Sequence, residues 1–210
     1  IRNPLGAASH ASQLLLESTE LAAADRKMAE IILRHCRRMN GIIENVLQLS
    51  RGKSSAMETV VLAPCLKGFI QDFSAAGATP GQIELDCPQP DLTCRFDPSH
   101  LSQVLTNLLS NALRYSLRHT QQAWAGIRLR HDASDDRAQL LVLDRGPGVA
   151  ATDQPHLFEP FFTTEKQGTG LGLYISKELC ESNQAILDYF SSEPGGGCFR
   201  ITFAHPKKSH

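Results

Sequence analysis

The chain has 210 residues, 41% of them hydrophobic and 20% charged, with a formal net charge of −1 at pH 7. That length suits one or two domains at ~100–200 residues each, and the near-neutral balance gives no electrostatic footprint for direct nucleic-acid binding. No apolar run approaches the ~20 residues that a membrane span needs, so no membrane contact is expected of these residues.

The sequence starts on Ile1, with neither methionine nor a basic-then-apolar leader, and reads as a piece of a longer protein. Its six cysteines (Cys36, Cys65, Cys87, Cys94, Cys180, Cys198) are scattered without a Cys-x-x-Cys pair. That usage fits small buried hydrophobes in a reducing, cytoplasmic compartment.

Leu5, Ala8, Leu15 and Leu16 predict a first amphipathic helix that stops near 18–20, with Asp25 placed to cap the next. From Asp25 to Arg51, the residues Met28, Ile32, His35, Met39, Ile42, Val46 and Leu49 recur in alternating steps of four and three. This is a heptad seam, the spacing that keeps one stripe against a partner helix. Two such helices carry more apolar stripe than they can cover between them. A homodimer closing a four-helix bundle is the expected remedy; packing against the rest of the chain is the alternative.

Gly52–Ser55 breaks the pattern. The expected division is a helical hairpin over 1–52, a linker over 53–57 and a second domain over 58–207. In that domain Glu58–Leu62, Gln82–Cys87, Leu92–Phe96, Gly126–His131, Gln139–Leu143 and Cys198–Phe203 read as strands, and Pro64–Ala75, Pro98–Leu117 and Gly170–Ser182 as helices. The mixture implies an α+β fold: one mixed sheet with helices on one face, an α/β sandwich.

Four stretches of the second domain carry chemistry. On the helix after Pro98, Asn107 and Asn111 stand four apart on one face, with Arg114 and Tyr115 a turn further; Leu101, Val104, Leu105, Leu108 and Leu109 take the buried side. Asparagine is a poor helix former. The pair is either solvated or a source of hard, neutral amide oxygens suited to Mg²⁺ on nucleotide phosphates. Leu143-Asp144-Arg145-Gly146-Pro147-Gly148 is an apolar strand running into a carboxylate and a tight turn. It is an ordinary turn or an acceptor for an exocyclic amine such as adenine's. Leu157-Phe158-Glu159-Pro160-Phe161-Phe162-Thr163-Thr164 is a hydrophobic plug or the hinge of a lid. Gln167-Gly168-Thr169-Gly170-Leu171-Gly172-Leu173 leads into a helix, where backbone amides suit phosphate. It is neither a dinucleotide fingerprint, which wants glycine at Leu173, nor a P-loop, which needs Gly-Lys-Ser/Thr.

In this order and spacing the four stretches resemble the asparagine, glycine and phenylalanine boxes of the GHKL (Bergerat-type) ATP-binding domain, in its histidine-kinase branch. The heptad hairpin resembles that branch's dimerisation and histidine-phosphotransfer domain. Arg2-Asn3-Pro4-Leu5 resembles the tail of its His-Glu-Ile-Arg-Asn-Pro-Leu motif, closest to the nitrogen-regulator-type and pilus-regulating sensor kinases.

The resemblance implies a role for each residue. Asn111 ligates Mg²⁺, with Asn107 beside it on the phosphate side of ATP, and Arg114 pairs with phosphate. Tyr115 lies against adenine and Asp144 takes its amino group, in the turn shaped by Gly146 and Gly148. Gly168, Thr169, Gly170, Leu171 and Gly172 cradle the triphosphate, and Lys166 reaches it from the lid; many relatives have lysine where this chain has Glu165. Asn3 orients the water that dephosphorylates a partner regulator.

The resemblance places the phosphoaccepting histidine two positions before Ile1. His10 falls about three helical turns too far along and His35 lies on the seam, so neither is assigned that role. The implied activity is ATP-dependent phosphorylation of that histidine, then of an aspartate in a response-regulator receiver domain, of which an NtrC-type transcriptional activator is one kind. The implied setting is the cytoplasmic side of the bacterial inner membrane. The alternatives are a nucleotide-binding pseudokinase that dimerises without transfer and a GHKL ATPase of the chaperone or DNA-repair kind.

Overall fold

The computed structural model describes residues 2–18, 21–51, 56–75, 77, 81–165, 168–192 and 195–205. Two helices open the chain, α1 (Arg2–Glu17) and α2 (Ala23–Arg51), packed on one another. The end of α1 leaves carbonyls without helical partners. Arg26 of α2 meets them, donating to Leu16 O and Ser18 O, each at 3.0 Å. Helix α2 starts earlier than its sequence suggests. Asp25 lies inside the first turn rather than at the cap, where its charge still faces the positive end of the helix.

Among the described side chains of α2, Ala29, Leu33 and Cys36 are the buried hydrophobes. The heptad seam is a different stripe. Met28 is 62% exposed, Ile32 47% and Met39 43%, and His35 is exposed too. The described part of this apolar pattern, from Met28 to Met39, is thus left uncovered. The Ile42, Val46 and Leu49 side chains lie outside the described residues.

The rest of the chain runs β1 (Glu58–Val61), α3 (Leu62–Ala75), β2 (Ile83–Asp86), β3 (Thr93–Phe96), α4 (Pro98–Thr120), β4 (Ala125–Asp132), β5 (Arg137–Leu143), a short 3₁₀ turn, α5 (Gly172–Ser182), β6 (Ile186–Ser191) and β7 (Gly197–Thr202). The sheet is mixed, as expected, with order β2-β4-β5-β7-β6; only the β2–β4 pair is parallel. Strands β1 and β3 form a separate antiparallel ladder rather than joining it. Leu62 belongs to α3, not to the strand before it, because Pro64 is tolerated in a helix's first turn, where no donor is needed. Edge strand β6 was not expected from the sequence.

Registered pairing puts Ile127, Val142 and Phe199 in one row and Leu129, Leu140 and Ile201 in the next, all buried. Helix α4 packs over β4 and β5 and against α5. Its Leu101, Val104, Leu105, Leu108 and Leu109 are fully buried, so the opposite face, with Asn107 and Asn111, turns away from the core. The other side of the sheet is more polar: Arg130 pairs with Asp86, and Arg200 Nη2 lies 3.2 Å from Asp188 Oδ2.

Buried polar groups fix the start of α4. Asp97 Oδ1 accepts from Ser99 N (2.9 Å), capping the helix, and Oδ2 accepts from Ala56 N (3.0 Å), beside the exit from the hairpin. Asp97 N donates to Asn183 Oδ1 at 2.8 Å, and Asn183 Nδ2 meets Leu179 O at 2.7 Å and His100 Nδ1 at 2.9 Å. The start of α4 and residue 56 are thereby tied to the end of α5.

Candidate functional site

Helix α4, the turn after β5 and the segment before α5 meet around a cavity of about 370 Å³, within the ~300–1,000 Å³ usual for small-molecule sites. Asn107, Asn111, Arg114 and Tyr115 line it from α4, and Asp144 and Gly148 from the turn. Gly168, Thr169, Gly170 and Gly172 line it from the glycine-rich segment. With Leu157, Phe162 and Thr163, four stretches separated along the chain line one cavity.

Asp144 is held in place by the backbone. Its Oδ1 accepts from Gly146 N at 2.7 Å and Gly197 N at 3.0 Å. Burial pushes its carboxyl above the usual carboxylate range, and the amides of Gly197 and Gly146 pull the other way without cancelling it. Helix α4 pins the same turn, since Ser116 Oγ, fully buried, accepts from Arg145 N at 2.8 Å. Gly146 must be small: a Cβ there would stand 2.8 Å from Asp144 Oδ1 and 3.0 Å from Tyr115 Cβ.

On α4, Asn107 Nδ2 donates to Gly172 O (3.2 Å) and Ser176 Oγ (3.3 Å), joining the asparagine face to the first turn of α5. Asn111 Oδ1 accepts from Arg114 Nη2 at 2.6 Å. The Arg114 guanidinium lies 5.3 Å from the Tyr115 ring centre, within cation–π range. Burial, then the Glu165 charge, pushes the Tyr115 hydroxyl up.

The phenylalanine stretch divides its labour. Phe158 packs edge-on against Phe199 of β7 at 6.4 Å, and Phe162 lines the cavity. Phe161 is 66% exposed with φ 67, a left-handed backbone that bulky residues rarely adopt. Its N–H donates to Gly170 O at 2.9 Å, closing the neck of the loop 161–170. Gly170 itself has φ 68, and a Cβ on it would run into the Phe161 backbone. Phe158 thus packs as a plug, while Phe161 sits at the closed base of the loop.

Leu171 lies in the core just ahead of α5 and is 3% exposed, and Gly146 shapes the turn without lining the cavity. Lys166 falls outside the described residues. Asn3 lies in α1, and its side chain is likewise outside them. Tyr189 and Phe199 also line the cavity, and Tyr189 OH accepts from Val149 N at 2.8 Å. Sequence reading missed both: β6 carries Tyr189 and was not foreseen, while Phe199 read as strand core. Helix α2 comes close by, since a Cβ on Gly41 would lie 3.9 Å from Thr169 Cγ2.

The family model for the histidine kinase-, DNA gyrase B-, and HSP90-like ATPase matches residues 96–208, which include every described wall of this cavity. The chain belongs to that ATPase family. A second model, the His Kinase A (phospho-acceptor) domain, matches residues 1–55, the hairpin.

Among relatives of this ATPase-family chain, the sensor protein kinase PilS of Pseudomonas aeruginosa is 51% identical over 208 residues, covering 99% of this chain and 39% of PilS. The sensor histidine kinase ZraS of Escherichia coli is 27% identical, covering 96% of this chain and 42% of ZraS. The chain therefore spans about two fifths of the curated relatives it matches. Full-length ShkA, solved in complex with AMPPNP, superposes with TM-score 0.67 at 23% identity over 96% of this chain and 43% of ShkA. The mycobacterial sensor histidine kinase MprB gives TM-score 0.56 at 25% identity over 70% of this chain and 97% of that one. Among the described residues no helix is long and apolar enough to cross a membrane.

Proposed function

We propose that this chain is the kinase core of a sensor histidine kinase. It binds ATP with Mg²⁺ and passes the γ-phosphoryl group to a histidine preceding Ile1, then to an aspartate of a response-regulator receiver domain. The observation that carries the reading is the convergence of Asn107, Asn111, Arg114, Asp144 and the glycine-rich segment on one cavity, in a chain whose hairpin matches a phospho-acceptor domain.

The geometry supports the following roles. Asp144 Oδ2 accepts the adenine amino group, because Oδ1 is already committed to Gly146 and Gly197. Tyr115 lies against the base. Gly168, Thr169, Gly170, Leu171 and Gly172 form the phosphate-binding turn as α5 begins; Gly168 N already donates to Glu165 O at 3.2 Å and Leu171 N to Thr169 Oγ1 at 3.4 Å. Arg114 supplies positive charge, and Lys166, which lies outside the described residues, is assigned a second such role by resemblance alone. Such a transition state needs positioning and charge neutralisation more than covalent help.

The donor set fits Mg²⁺. Among the described residues no cluster of His, Cys, Asp and Glu is suited to a metal. Asn111 Oδ1, which accepts from Arg114, is a neutral oxygen with a second lone pair. One such ligand suits an ion that keeps its waters and takes its other bonds from phosphate. Once bound, Mg²⁺ neutralises phosphate charge, while Asn107 holds α5 to α4 alongside.

The division into a hairpin (1–52), linker (53–57) and catalytic domain (58–207) belongs to the same reading. So does a homodimer, in which the exposed seam of Met28, Ile32 and Met39 pairs with its copy. Asn3 would position the water for phosphatase action on the regulator. An NtrC-type activator as that regulator, and an inner-membrane anchor outside these residues, complete the proposal.

The test uses the full-length protein and ATP labelled at its γ-phosphate. Acid-labile, alkali-stable label on the protein, passed on to a receiver domain, is the expected result. Tight ATP binding without labelled protein would favour a pseudokinase, and sustained hydrolysis without phosphoprotein an ATPase.

A further inference from the structure

Glu165 sits in the lid loop, yet its side chain is only 8% exposed. Its Oε2 lies 3.3 Å from Arg114 Nη1 and its Oε1 2.8 Å from Arg118 Nη1. The two arginines are four residues apart on α4 and so project from one face. A carboxylate so far removed from water is stable only when paired, and this one has a guanidinium on each oxygen. Arg114 reaches in the other direction as well, donating from Nη2 to Asn111 Oδ1 at 2.6 Å. The result is a continuous chain, Asn111–Arg114–Glu165–Arg118, running from the cavity wall through the loop and back to α4. The Glu165 amide, bonded to Thr163 Oγ1 at 3.1 Å, holds the loop in the shape that presents this carboxylate.

We propose that Glu165 is an internal anion that competes with nucleotide phosphate for Arg114, with Arg118 as the residue that holds it there. This rests on the nucleotide reading of the cavity. A guanidinium recognises carboxylate and phosphate through the same planar fork of donors. A phosphate that pairs with Arg114 must therefore displace Glu165 or share its donors. Displacement also frees Asn111 Oδ1 from an arginine drawn towards the lid. Glu165 is then an affinity-setting residue: it weakens nucleotide binding and couples phosphate arrival to release of the lid from α4. Arg118, to which sequence and resemblance assign nothing, acts on the nucleotide only through Glu165.

The test is calorimetric titration of Mg·ATP into the wild-type chain and two variants, Glu165→Gln and Arg118→Met, each checked for an unchanged melting temperature. A partly buried, charge-assisted pair is worth on the order of 1 kcal/mol, so Glu165→Gln should tighten ATP binding about fivefold. Arg118→Met should also tighten it, because the competitor loses one of its two anchors. Weaker binding in Arg118→Met would make Arg118 a direct phosphate ligand and overturn the proposal. Wild-type affinity in a folded Glu165→Gln would overturn it while leaving the nucleotide site standing. No ATP binding by any of the three proteins would remove the nucleotide reading and this proposal with it.

Discussion

Replacing Asp144 with asparagine separates base recognition from folding. In the native site Oδ1 accepts two backbone amides, and among the described residues Oδ2 has no hydrogen-bond partner. In Asp144→Asn the amide oxygen keeps both backbone bonds, so the amide NH₂ takes the place of Oδ2. It then presents donors to the donor hydrogens of adenine. A hydrogen bond to a charged group contributes about 1.5–3 kcal/mol, so Mg·ATP affinity should fall roughly 10- to 150-fold. GTP, with a carbonyl oxygen at that position, should lose less.

Stability should move the other way. Burial raises the Asp144 carboxyl pKa in the folded state, so stability is fullest below its ordinary value and diminishes as pH rises through the raised one. A neutral asparagine avoids that cost, and its melting temperature at neutral pH should be no lower than wild type. In the wild type, ATP affinity should weaken as pH drops through the raised pKa. Calorimetry with both nucleotides, beside a thermal melt, reads all of this. A folded Asp144→Asn that binds ATP with wild-type affinity would refute the assignment.

Gly170→Ala places a Cβ against the Phe161 backbone at a left-handed φ of 68. Strain of about 1–3 kcal/mol should lower the melting temperature by roughly 2–12 °C and impair nucleotide binding. Gly68→Ala, in α3 with nothing within 4 Å of the new Cβ, should melt no lower than wild type. Asp97→Ala removes the α4 cap and the bond to Ala56, and should cost about 1–2 kcal/mol in denaturant titration. Burial raises the Asp97 carboxyl, but hydrogen bonds from Ser99, Ala56 and His100 outweigh it and hold it low. Its stabilisation is present above the ordinary carboxylate pKa and fades as pH falls through the lowered one, so the variant should lack that part of the acid transition. Ile32→Glu puts charge on the exposed seam; light scattering should show a shift from dimer to monomer, with ATP affinity unchanged.

The four motif stretches were legible because their chemistry is local. Two asparagines a turn apart, a carboxylate before a glycine turn and closely spaced glycines ahead of a helix each declare themselves within a few residues. Strand β6 did not, because an edge strand needs no strict alternation. Only Leu187 of its residues is buried, and the following glycines blur its end. Tyr189 was missed with it. The seam from Met28 to Met39 was legible as a stripe, whereas the Ala29, Leu33 and Cys36 contact inside the hairpin was not. Small residues that let helices approach leave little hydrophobic signal. The Glu165 bridge lay beyond reach altogether: its partners are 47 and 51 residues away, and nothing local marks a glutamate as buried.

The bond from Ala56 to Asp97 has a consequence of scale. It fixes residue 56 to the body that contains the cavity, while α2 ends at Arg51. Five peptide steps separate the two, at most ~18 Å of fully extended chain. Residue 56 can therefore never lie further than that from the end of α2. Under the proposed kinase reading, a histidine of the same chain must come within that reach of the cavity. In the proposed homodimer, that limit bears on which helix receives the phosphoryl group. Lengthening residues 52–55 should widen that choice without altering a single contact in the pocket.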